Sequence, residues 1–146
     1  MENKSLPASE EIVNKFFAAY SKHDMEGIRA VMSDNVHWFF CGNHPLAGIK
    51  NGVEEVVAFF DRMGSIMAMS KPEIEKLIVA SNDKHFIECQ RIKINRKDGI
   101  KVDHHASVLW TIENGKIIEG RHFWADPPAA DKYFNAVIQA GKNVSV

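Results

Sequence analysis

Residues 116 to 126 read Lys-Ile-Ile-Glu-Gly-Arg-His-Phe-Trp-Ala-Asp, and strand alternation brings His122, Trp124 and Asp126 to one face, beside Gly120, whose missing side chain is expected to leave room for a ligand. Imidazole is the natural general base or acid near neutral pH, because its unperturbed pKa is about 6.5. A carboxylate beside it orients the ring and sets its tautomer. Such a couple suits proton abstraction next to a carbonyl, dehydration or cyclisation. A further imidazole, His104, shares its strand face with Ala106, Val108 and Trp110. Antiparallel pairing across Asn114-Gly115 brings His104 and Ala106 into the layer of Trp124. The candidate catalytic residues are therefore His122, Asp126 and His104. The competing reading is structural: His122 satisfies a core hydrogen bond, and Asp126 ends a strand before Pro127.

Seven histidines in a chain of 146 residues also raise the question of a metal. The tight clusters are Cys41-x-x-His44 and His104-His105. Zinc sites usually show two paired ligand motifs at defined spacing, and adjacent histidines on a strand point opposite ways. No metal site is expected on that pattern. A glycine-rich phosphate loop, a nucleophile elbow and a Cys–His nucleophile pattern are all missing from the sequence. No cofactor is expected.

The elements that must position these groups can be read from periodicity. Ser9 is a candidate N-cap, followed by Ile12, Val13, Phe16, Phe17 and Tyr20 on one apolar stripe. Asp24 can cap a second helix carrying Ile28, Val31 and Met32, closed by Ser33-Asp34-Asn35. Val36 to Cys41 is β-rich, and a loop with Gly42, Pro45 and Gly48 follows. A third helix carries Val53, Val56, Val57, Phe60 and Met63, with Gly64 expected to end or loosen it. Met63, Met67 and Met69 around that glycine suggest an adaptable flap. Beyond Pro72 the period becomes two. Glu73 to Ala80, His85 to Asn95, Ile100 to Ile112 and Lys116 to Asp126 read as strands, separated by turn signals at Ser81-Asn82-Asp83, Lys97-Asp98-Gly99 and Glu113-Asn114-Gly115. Those strands should pair antiparallel in sequence order. Ala129 to Ala140 reads as a terminal helix after Pro127-Pro128.

This length makes one domain, residues 1–146, with a core over 9–126 and the terminal helix at 129–140. It buries about two-thirds of its unfolded surface. A formal net charge of -1 carries no electrostatic footprint for nucleic acid or an anionic membrane. No apolar run approaches the roughly 18 residues of a membrane span. The start of the chain lacks the apolar stretch of a signal peptide. Cys41 and Cys89 lie in apolar segments and read as buried thiols in a reducing compartment, so the expected location is the cytoplasm. Helices followed by a curled antiparallel sheet make an α+β fold, in which sheet and helices enclose a cone with an apolar mouth, a usual place for a small-molecule site.

The order of these elements, with Tyr20-Ser21-Lys22-His23-Asp24 closing the first helix and Trp110-Thr111-Ile112-Glu113-Asn114-Gly115-Lys116-Ile117-Ile118 running into His122-Phe123-Trp124-Ala125-Asp126, resembles the nuclear transport factor two-like superfamily. The likeness is to its SnoaL-like and ketosteroid-isomerase-like small proteins, and it spans about residues 9 to 126. It implies a cone-shaped curled sheet packed against three N-terminal helices, a cystatin-like α+β roll. In the ketosteroid isomerases a tyrosine, a general-base aspartate and a protonated aspartate do the chemistry. The matching positions here are Phe16, Phe40 and Val108, whose side chains can neither take an α-proton nor donate to an oxyanion. The isomerase triad is absent. Trp124 resembles the family's pocket-wall aromatic.

The resemblance puts Val108 inward, so the even-numbered face of the last two strands becomes the cavity side, and His37, Asp103 and His105 point away. The expected ligand-binding residues are Phe16, Tyr20, Trp38, Phe40, Phe60, Met63, Met67, Val108, Trp110 and Trp124, with Tyr20 as a candidate hydroxyl donor. The expected partner is a small hydrophobic molecule. The family also commonly forms homodimers through sheet faces, and His105, Ser107 and Leu109 make a mixed face compatible with one. If the chain is an enzyme, the expectation is a cofactor-independent isomerase, cyclase or dehydratase. The alternative is a non-catalytic ligand-binding or dimerisation module.

Overall fold

The computed structural model describes residues 7–144. In chain order the elements are α1 (Ala8–Ser21), α2 (Met25–Ala30), β1 (Met32–Phe40), β2 (Gly48–Asn51), α3 (Val53–Ser70), β3 (Glu73–Ser81), β4 (His85–Asn95), β5 (Lys101–Glu113), β6 (Lys116–Trp124) and α4 (Pro127–Val144). The six strands form one curled, unclosed sheet in the order β2-β1-β6-β5-β4-β3. From β3 to β6 each strand pairs antiparallel with the next, as the turn signals predict. At Asn114-Gly115 both residues have positive φ (52° and 74°), the conformation a tight hairpin turn requires. β1 then joins β6 in parallel, bringing the first third of the chain against the last strand.

Several local expectations change. Ser9 does not cap α1, since Pro7 holds the N-cap position. Its buried hydroxyl donates instead to the carbonyls of Asn82 (2.5 Å) and His85 (3.0 Å), tying α1 to the β3–β4 turn. Asp24 caps α2 as expected, accepting from the Gly27 amide at 3.0 Å. Met32 and Ser33-Asp34-Asn35 belong to β1 rather than to the end of α2. The segment expected to be all loop contains the short strand β2. Gly64 does not end α3, which continues to Ser70 and stops at Lys71 in the left-handed region (φ 48°). Met63, Met67 and Met69 therefore sit on one continuous helix and form no flap. Met63 is buried, Met67 half-buried and Met69 exposed. α4 begins two residues earlier than expected, because a proline loses nothing in a first turn whose amides have no helical partner.

The core lies between the even-numbered face of the sheet and helices α1, α3 and α4. Ala106, Val108, Trp110 and Ile112 of β5 are buried, whereas Asp103 and His105 are exposed. Four rings interlock at its centre: Phe16 with Phe60 (4.8 Å) and Trp110 (4.8 Å), and Trp38 with Phe60 (4.8 Å) and Trp110 (5.0 Å), all edge to face. Burying side chains of this size stabilises the fold by roughly 1.5–3 kcal/mol each. The edge strand β3 is different, leaving Ile74, Leu77, Ile78 and Val79 in water.

Candidate functional site

The sheet register arranges the inner face in rows. Phe86, Trp110, Gly120 and Trp38 form one, Glu88, Val108 and His122 the next, and Gln90, Ala106 and Trp124 a third, with His104 beyond it opposite Ile92. The small residues Val108 and Ala106 form the floor between larger neighbours. Phe40 meets the His122 ring at 4.7 Å and the Trp124 ring at 5.5 Å. His104 stacks on Trp124 with centroids 5.4 Å apart, and the Trp124 indole N–H donates to the Cys41 carbonyl at 3.2 Å. Helix α4 covers the wide end. Phe134 packs on Phe40 (5.2 Å) and His44 (4.7 Å), and the Tyr133 hydroxyl pairs with Ser70 Oγ (2.5 Å).

Of the expected site residues, Trp38, Phe40, His104, Val108, Trp110, His122 and Trp124 share the inner face of the sheet. Phe16 and Tyr20 of α1 and Phe60, Met63 and Met67 of α3 pack in the core that covers it. Two expectations change. Gly120 leaves no room for a ligand, because the Trp38 ring fills the space above it. The His122–Asp126 couple is not hydrogen-bonded. β6 ends at Trp124, and the Asp126 carboxylate accepts from the Ala129 amide at 3.2 Å, capping α4. Asp126 still acts on His104 through its charge, which partly opposes the downward effect of burial on that imidazole. Burial alone pushes His122 down to about 3, so it is neutral at pH 7 and cannot be a proton donor of the imidazolium kind. The residue keeps some exposed surface, but its Nε2 is closed off. Tyr20, stacked on Phe16 at 5.7 Å, is pushed up to about 12 by burial and stays a phenol. Cys41 is exposed rather than buried, and Cys89 is half-buried.

Five inner-face polar atoms are buried without a hydrogen-bond partner: Trp38 Nε1, Glu88 Oε2, His104 Nδ1, Trp110 Nε1 and His122 Nε2. Each such atom costs on the order of 1–3 kcal/mol in an apolar interior, so a cluster of them asks for a partner. Glu88 is the residue that sequence reasoning missed. Desolvation raises its carboxyl above the usual range, opposed by Lys76, whose Nζ stands 3.7 Å away. The signal was its even position in β4, in register with Val108. Together these groups offer a carboxyl biased toward its protonated form and two neutral imidazoles around a small aliphatic floor walled by aromatic rings. Among the described residues no group of three or more His, Cys, Asp or Glu is placed to hold a metal ion.

The fold and this inner face define a class, the NTF2-like α+β proteins with a curled sheet around an aromatic interior. Within it, the chain belongs to the SnoaL-like domain family, whose model matches residues 13–120. An uncharacterized protein of Mycobacterium tuberculosis is 26% identical over 124 residues, covering 85% of this chain and 94% of that one. The solved structure of an NTF2-like protein from Burkholderia xenovorans superposes with a TM-score of 0.73 at 21% identity, covering 91% of this chain and all of the other. The structure of TerC co-crystallized with polyporic acid superposes with a TM-score of 0.69 at 16% identity, covering 87% and 98%.

Proposed function

We propose that this protein binds a small, largely hydrophobic molecule carrying hydrogen-bonding groups on the inner face of its sheet, over Val108 and Ala106. The observation that carries this reading is the cluster of buried polar atoms without a hydrogen-bond partner, Glu88 Oε2 (with only the Lys76 ammonium at 3.7 Å) and His122 Nε2 in one register row, with His104 Nδ1 close by. TerC, of the same fold, was co-crystallized with polyporic acid. Entry requires α4 to lift, because Tyr133 and Phe134 cover the wide end. The chemistry that fits is isomerisation, cyclisation or dehydration. A neutral imidazole of His122 or His104 accepts a proton from carbon, the Glu88 carboxyl donates a hydrogen bond to the adjacent carbonyl oxygen, and the proton is then returned. Asp126 biases His104 toward holding that proton.

Native mass spectrometry of freshly purified protein, with tryptophan fluorescence during titration with polyporic acid, tests the reading. Trp38, Trp110 and Trp124 all lie on the inner face, so saturable quenching is expected, and Val108→Trp and Ala106→Leu should abolish it. No retained molecule together with no quenching, or quenching unchanged in both variants, would refute it. A second reading, a non-catalytic module, is favoured by the interlocked rings of Phe16, Trp38, Phe60 and Trp110, which leave the narrow end full. Retained ligand without turnover would select it.

We also assign the outer face to a homodimer contact. A groove of about 230 Å³ runs there between Leu77 and Phe123, which are 50% and 49% exposed. Sedimentation velocity tests this, with Phe123→Lys expected to give monomers. No helix among the described residues is long and apolar enough to cross a membrane. The free thiols of Cys41 and Cys89 suit the reducing cytoplasm.

A further inference from the structure

Away from the inner face, a groove of about 320 Å³ separates α3 from α4. Ile66 and Met69 of α3 form one wall, and Val137 and Ile138 of α4 the other; Met69 is 66% exposed. The polar groups along it are mostly cationic. Arg62 and Lys142 stand at the rim without an ion pair among the described residues. Arg96 closes one end, with a side chain only 13% exposed. Its guanidinium is held in place by Asp98, to which Nε (3.1 Å) and Nη2 (2.8 Å) donate, and by Ser70 Oγ, to which Nη1 donates at 3.1 Å. The Tyr133 hydroxyl also lies beside it. A guanidinium has five N–H groups, so with Asp98, Ser70 and Tyr133 served one hydrogen remains for another acceptor. Among the described residues Asp98 is the groove's single carboxylate, and Arg96 already neutralises it.

An apolar trough with an immobilised guanidinium at one end and two unpaired cations at its rim is complementary to a single-chain amphiphile with a carboxylate head. We propose that this groove binds a free medium-chain carboxylic acid, its chain between Ile66, Met69, Val137 and Ile138 and its carboxylate on Arg96, with Arg62 and Lys142 supplying attraction. The volume lies at the lower end for small-molecule sites, which suits one chain rather than a fused-ring molecule. Orienting Arg96 beforehand lowers the entropic cost of binding.

The test uses the full chain with methyl-labelled methionine and nuclear magnetic resonance. Met69 lies in this groove, whereas Met63 and Met67 report on the interior. Decanoate should shift the Met69 methyl saturably and leave Met63 and Met67 in place. Decyltrimethylammonium, with the same chain and opposite charge, should not. Reversing both rim charges, Arg62→Glu with Lys142→Glu, should weaken binding by about tenfold and leave stability unchanged. A Cβ at Gly141 would meet nothing within 4 Å, so Gly141→Phe should block the groove without disturbing the fold. Equal shifts with both amphiphiles, shifts confined to Met63 and Met67, or no shift at all would each overturn the proposal. Polyporic acid quenching is unaffected by Gly141→Phe if the two sites are separate.

Discussion

Trp38 and Gly120 are register partners across the parallel β1–β6 pair, and the Trp38 indole occupies the space that any side chain at position 120 would need. Trp38 is wholly buried and touches Phe60 and Trp110, so it cannot step aside cheaply. Gly120→Ala is therefore expected to cost about 3 kcal/mol in urea unfolding, the upper part of the overpacking range. Gly64 makes the contrast. A Cβ there meets its nearest neighbour, the His23 ring, at 3.4 Å inside a continuous helix, so Gly64→Ala should stabilise by roughly 0.5–1 kcal/mol.

The buried imidazole of His122 sets an acid limit. Unfolded, it titrates near 6.5; folded, near 3, so protons favour the unfolded chain. Its contribution to stability is complete above about pH 6.5 and is lost progressively as pH falls toward 3, at up to about 1.4 kcal/mol per unit. His104 is shifted in the same direction. Equilibrium unfolding at pH 7, 6, 5 and 4 should show the gap between the wild type and His122→Gln closing as the solution is acidified. Parallel curves would contradict the assignment of the buried ring.

Glu88 has the opposite sign. Its folded carboxyl is raised, so the stability it contributes is fully present below its unfolded pKa and is lost as pH rises through the folded value. Glu88→Gln, which keeps the shape and cannot ionise, should be more stable than wild type at pH 8 by on the order of 1 kcal/mol and indistinguishable at pH 4. On the proposed reading, the same variant should also weaken the tryptophan quenching by polyporic acid.

Tyr133 and Ser70 fasten α4 to α3. Tyr133→Phe removes a buried hydrogen bond but leaves Ser70 engaged with Arg96, so the loss should be about 1 kcal/mol. Hydrogen exchange should accelerate in α4 and remain unchanged in β4 and β5. On the proposed reading, in which α4 must lift for entry, the onset of quenching by polyporic acid should also speed up.

The meander was legible because Asp98-Gly99 and Asn114-Gly115 punctuate runs of strict alternation, and alternation assigned Val108 and His105 to opposite faces. Helix α1 was legible from Val13, Phe16 and Tyr20. What escaped depends on partners distant in sequence. β2 is four residues long, and its pairing with β1 is reinforced by His37 Nδ1 and Asn51 Oδ1 at 2.9 Å, a contact no local pattern announces. Ser9 has the residue type of a cap, yet its acceptors lie more than seventy positions away. Asp126 follows the strand period by number, but the chain turns at Ala125 and its carboxylate goes to α4. Glu88 was hidden because an acid in an alternating strand reads as solvent-facing unless the register is known.

The parallel pairing of β1 with β6 has a consequence for the order of events during synthesis. On the growing chain β1 has only the short β2 beside it, while β3, β4 and β5 can zip together as they emerge. The ring of Trp38 finds its seat over Gly120 only after β6 has left the ribosome. The N-terminal third therefore waits, with Trp38 and Phe40 covered only on the side of α3, for the last strand to arrive. A chain stalled before residue 116 is then the form that should need a chaperone, whereas one released after α4 should not.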